Sequence, residues 1–75
     1  MTADQLTRGV YEGHDGIFRH LRDLSQKANW GFCVPVTGGT GRRVSLDRFA
    51  RWARRRLSDG FAKAFLAEMD RMAGG

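Results

Sequence analysis

GVYEGHDGIFRHLRDLS, residues 9–25, places three glycines inside the most periodic part of the chain. At about 100° per residue, Ala3, Leu6, Val10, Ile17, Leu21, Leu24 and Ala28 fall in one narrow stripe and stay in phase from end to end. Tyr11 and Phe18 sit beside that stripe. The pattern predicts an N-terminal amphipathic helix over about 3–28, capped by Thr2 or Asp4 and closed by Asn29 and Gly31. Gly9, Gly13 and Gly16 each cost about 1 kcal/mol against alanine in a helix. Asp15 can cap a fresh start, so the segment is either one helix or two with a break near 12–16. The kept phase favours the continuous form, with the glycines on a flank that another element can approach closely.

Outward from there the pattern changes. In NWGFCVPVTGGTGRRVSL, residues 29–46, Phe32, Val34 and Val36 alternate with Cys33 and Pro35, which is strand periodicity. Pro35 cannot donate to a ladder, so this strand is expected either to be an edge or to pair through its other side. TGGTG supplies a turn and RRVSL a returning strand, so a β-hairpin is expected at about 30–45. The remainder reads as two helices, about 46–57 and 60–73. Ser45 or Asp47 caps the first, which buries Leu46, Phe49, Ala50, Ala53 and Leu57. Phe61, Phe65, Met69 and Met72, with Leu66 nearby, form the apolar side of the second, and Ala73-Gly74-Gly75 reads as a frayed end. The expected class is α+β, in one small domain spanning 1–75.

The chain has 75 residues, a length at which roughly 60 % of the unfolded surface is buried and the core is marginal. Cys33 is the only cysteine, so a disulfide cannot staple the chain. One Cys and two His make no zinc site. A single thiol fits a reducing compartment. The first residues, MTADQLTRGV, lack the apolar core of a signal peptide, and no apolar run approaches the ~18 residues of a membrane span. The expected location is cytoplasmic, with no membrane partner.

Charge is the informative feature. Between Arg42 and Leu57, seven arginines against one aspartate leave +6, while the rest of the chain carries six cations against seven acids, or −1. The core of that segment, RFARWARRRL at 48–57, holds five arginines around a tryptophan. On the expected helix Leu46, Phe49, Ala50, Ala53 and Leu57 account for the buried face. The arginines cover the rest, with Trp52 between Arg48 and Arg56. In sequence only Asp47 can relieve their repulsion, at Arg51. Such a surface calls for an anionic partner, and Arg pairs with phosphate or carboxylate in bidentate fashion. Trp52 reads either as a boundary residue covered by the hairpin or first helix, or as an exposed anchor among cations.

Reactive groups are few. His14 and His20 lie about 120° apart on a helix, which suits no shared metal. Cys33 reads as a small core residue. TGGTG followed by Arg42-Arg43 lacks the lysine of a phosphate-binding P-loop and reads first as a flexible tip. It could also offer backbone N–H groups and two arginines to a phosphate. GRRVSL, a helix, a glycine-containing turn and a second helix resemble a ribbon-helix-helix DNA-binding unit in element order over about 33 residues. The second helix lacks the polar opening of that family, and membership is not inferred.

These observations imply a non-enzymatic module without cofactor or metal. It would bind nucleic acid or a nucleoprotein through Arg42, Arg43, Arg48, Arg51, Trp52, Arg55 and Arg56. The alternative is a protein-binding inhibitor or adaptor of the phage or mobile-element kind, anti-CRISPR proteins among them, with the same arginines on an acidic protein surface. A homodimer is the further partner to consider.

Overall fold

The computed structural model describes residues 1–74; Gly75, the end of the expected frayed tail, lies outside the described residues. Five strands form one antiparallel sheet: β1 Gly9–Gly13, β2 Phe18–Ser25, β3 Trp30–Pro35, β4 Arg42–Ser45 and β5 Ala53–Arg56. Helix α1, Leu46–Trp52, joins β4 to β5, and α2, Asp59–Gly74, follows. The spatial order is β4-β3-β2-β1-β5, so the last strand closes the edge opposite β4.

The expected N-terminal helix does not form; Ala3–Gln5 make a short 3-10 turn, and residues 9–25 form a hairpin. The cause lies in EGHDG. Gly13 N–H donates to the Ile17 carbonyl at 2.9 Å, Gly16 N–H to the Gly13 carbonyl at 3.0 Å, and Gly16 takes φ 78°. Asp15 Oδ1 accepts from Ile17 N–H at 3.0 Å and fixes the turn. A tight turn followed by a left-handed glycine is a standard short hairpin connection.

The helical stripe dissolves accordingly. Leu6 and Leu21 enter one apolar cluster and Val10 another, while Ile17 is 51 % exposed. Neighbouring Val10 and Tyr11 are both fully buried because both faces of β1 are covered. On one face, Tyr11, Leu21, Cys33 and Ala53 pack against Leu46, Phe49 and Ala50 of α1. On the other, Val10, Phe18 and Leu57 pack against Ala62, Phe65 and Leu66 of α2. A strand buried on both sides loses its alternation, and chance phasing with a 3.6-residue period then imitates a helix.

The expected helix over 46–57 is also corrected. Ser45 caps α1, its Oγ accepting from Arg48 N–H, but the helix stops at Trp52 and Ala53 turns extended. Residues 53–56 pair with β1, Tyr11 opposite Arg56 and Glu12 opposite Arg55. Sheet pairing outweighs helix propensity here. It separates the clustered arginines, sets Arg55 against a carboxylate, and sends Leu57 to the opposite core from Phe49. With a strand between the two helices, the ribbon-helix-helix order is absent.

β3 and β4 are the arms of a hairpin at 30–45, although β3 is an interior strand, not an edge. Pro35 is tolerated because β4 pairs only with Trp30 to Cys33, leaving the end of β3 free on that side. On α2 the sheet-facing residues are Ala62, Phe65 and Leu66, while Phe61 and Met72 are exposed. Among the described residues no helix is long and apolar enough to cross a membrane.

Candidate functional site

Helix α1 covers only part of its sheet face. Beside it opens a cleft of about 470 Å³. Arg42 and Val44 project into it from the edge strand β4, as alternate residues must. Arg48, Phe49 and Trp52 line it from α1, and Arg19 from β2. Arg43 and Ser45 complete the wall. A second hollow of about 310 Å³ shares Arg19 and Arg42 and adds Cys33, Pro35 and Thr40, extending the concavity toward the β3–β4 turn.

Trp52 forms the floor. Its indole lies against Gly13, where any side chain would strike the ring, and against Phe49 at 5.2 Å between centroids. Nε1–H donates to both oxygens of Asp15, at 3.0 and 3.1 Å. The Arg19 guanidinium carbon lies 4.8 Å from the ring centroid, a cation–π distance. The indole is thus half-buried, covered by the β1–β2 turn on the core side and in contact with a cation from β2. The Asp15 carboxyl is held below the usual carboxylate range, mainly by the Trp52 N–H, then by Ile17 N–H, with Arg19 adding to it.

The structure sorts the seven expected site residues into two groups. Arg42, Arg43, Arg48 and Trp52 line the cleft. Arg51 is exposed on α1 and does not line it. Arg55 and Arg56 are elsewhere. Arg55 Nε pairs with Glu12 at 2.6 Å. Arg56 lies over Gly9, donates to the carbonyls of Arg8 and Leu57, and pairs with Asp59 at 2.8 Å. Asp47, expected to relieve Arg51, instead accepts from Asn29 Nδ2 at 3.1 Å.

Arg19 is absent from the expected site because the helical stripe places it in an N-terminal helix. Once residues 18–25 are a strand, register makes the connection. Arg19 faces Pro35, and Cys33, two residues back on β3, faces Arg42. Arg19 and Arg42 therefore share a sheet face across one intervening strand. The glycine tip between β3 and β4 is a turn, with Gly38 N–H donating to the Pro35 carbonyl at 3.1 Å and positive φ at Gly38 and Gly39.

No carboxylate of the described residues lies within 4.0 Å of Arg19, Arg42, Arg43 or Arg48; Arg8, Arg55, Arg56 and Arg71 are so paired, while Arg22, Arg51 and Arg54 are not. The main cleft is lined by no His, Cys, Asp or Glu. Among the described residues no group of three such side chains could hold a metal ion. The lining offers permanent cations and N–H donors, which suits an oxyanion-bearing ligand. Comparison with known protein families, with curated proteins and with solved structures returns no match for this chain.

Proposed function

We propose that this chain is a non-enzymatic nucleic-acid-binding module whose cleft holds the phosphate backbone. The observation that carries the reading is the convergence of Arg19, Arg42 and Arg48 on one hollow with no carboxylate within 4.0 Å of any of them, while Arg43 turns its guanidinium to the other face of the same edge strand. They come from three different elements, so a local run of basic codons does not explain their meeting. Three guanidinium groups without an ion-pair partner around one concavity repel each other, and a polyanion removes that repulsion while releasing its own counterions. Bidentate N–H pairs match phosphate oxygens.

The test is a titration with short duplex and single-stranded oligonucleotides across a salt series. Log affinity falls linearly with log salt, by about 0.9 per phosphate contact on duplex and about 0.7 on a single strand. Arg42→Ala and Arg48→Ala each reduce the slope by about one. A folded sample that binds neither polymer at low salt overturns the proposal. In a separate pull-down from lysate, nuclease-resistant capture of an acidic protein would assign the cleft to the inhibitor or adaptor reading.

A further inference from the structure

The sheet face opposite the cleft holds two aromatic side chains that neither core uses. Trp30 and Phe32 are alternate residues of β3, so they project from the same face, roughly 7 Å apart along the strand. Neither belongs to the cluster under α1 or to the one under α2. Phe32 is 38 % exposed. Its ring lies against Gly41, at the start of the strand beside it, where any added side chain would collide with it. Trp30 packs against the Arg43 guanidinium, whose carbon lies 4.7 Å from the ring centroid. In a small domain, apolar area of this kind left outside both cores needs an explanation beyond stability.

The surroundings favour a negatively charged occupant. Arg43 lies over one ring, and Arg22, the extra residue where the β2–β3 register shifts, is exposed on the adjoining strand. The acid in register with Phe32 is Asp23, which is already engaged by Arg8 at 3.3 Å and by Leu24 N–H at 2.9 Å. The β4 edge links the two faces, since consecutive Arg42 and Arg43 project to opposite sides. A strand whose phosphates pass that edge can reach the cleft on one side and the aromatic pair on the other. Duplex bases are stacked on each other and cannot lie on protein rings; single-stranded bases can.

We propose that Trp30 and Phe32 form a base-stacking platform and that the ligand is a single-stranded nucleic acid. This rests on the reading of the cleft as a phosphate site and specifies which nucleic acid it takes. The experiment compares a short oligothymidylate, an abasic strand of equal length and a duplex, for the wild type and for Trp30→Ala, Phe32→Ala and Trp30→Phe. The thymidylate binds at least about tenfold tighter than the abasic strand. Each alanine variant loses about 5- to 150-fold on thymidylate, the range measured for one stacked base. Abasic-strand affinity and the salt slope stay unchanged, and Trp30→Phe keeps most of the binding. Should Trp30→Ala fail to fold, Phe32→Ala and Trp30→Phe carry the comparison.

Equal affinity for thymidylate and abasic strands, unmoved by Phe32→Ala, overturns the platform and leaves the cleft standing. Preference for duplex also overturns it. Absence of binding to all three probes at low salt overturns the cleft proposal, and the platform falls with it.

Discussion

Arg48 and Arg56 belong to one basic stretch and meet opposite fates. Arg48 stands beside Arg42 and Arg19 on a cleft where no carboxylate of the described residues comes within 4.0 Å of any of the three, and Asp15, held on the Trp52 indole, acts on Arg19 only from farther away. Arg56 closes over Gly9, tied to two backbone carbonyls and Asp59, with its Nε buried and unpartnered. The boundary between them is the end of α1. Beyond Trp52 the chain pairs with β1, which brings Glu12 to Arg55 and the Arg8 carbonyl to Arg56. Charge counted along a sequence therefore overstates the charge offered to a ligand, because strand register supplies internal partners that helical geometry would not.

The comparison can be broken by truncating each arginine in turn. Arg56→Ala carries the largest expected stability loss, about 1–3 kcal/mol, because the Arg8 and Leu57 carbonyls lose charged donors and Asp59 loses its ion pair. Its salt slope on nucleic acid stays at the wild-type value. Arg55→Ala removes a partly exposed ion pair and costs about 0.2–1 kcal/mol. Arg42→Ala and Arg48→Ala stay within about 0.5 kcal/mol of wild type while showing the reduced salt slopes. Urea melts rank the series and titrations rank it in reverse. A destabilised Arg48→Ala with intact binding, or a stable Arg56→Ala with weakened binding, would invert the assignment.

How far the sequence carries this picture depends on whether the signal is local. Ser45 as a cap, the turn in TGGTG and the basic segment are local properties, and each is legible in a few residues. The two sheet faces are not. Val10 and Tyr11 are buried in opposite directions, a pattern visible only after both helices are placed. HDG at 14–16 did carry the hairpin signal, but the in-phase stripe from Ala3 to Ala28 outweighed it. Without that one turn Arg19 has no place on the cleft face, and the convergence that defines the cleft is not visible. Trp52 is legible as a residue of dual character, but Gly13 and Asp15, which seat it, lie in the stretch whose helical phase hides the hairpin.

The smallest expected effect concerns that seat, and it depends on pH. Trp52 Nε1–H, Ile17 N–H and Arg19 all favour the ionised form of Asp15, so its folded-state pKa lies below the ordinary aspartate value of about 3.9. A carboxyl depressed by folding binds protons more readily in the unfolded chain. Its contribution is complete above the unfolded value and is lost as pH falls through the folded one. Asp15→Asn keeps an acceptor for the indole but removes the charge. The variant should therefore melt below the wild type near neutral pH, and the gap should close as the medium is acidified below about pH 4. Since Asp15 is solvent-exposed, the gap should be small and should narrow with added salt. Arg42→Ala, on the other side of the cleft, should show no such pH-dependent difference in this range. A gap for Asp15→Asn that persists unchanged into acid would mean that the carboxylate acts on the indole only as a neutral acceptor. Arg19 would then be held over Trp52 by the ring alone.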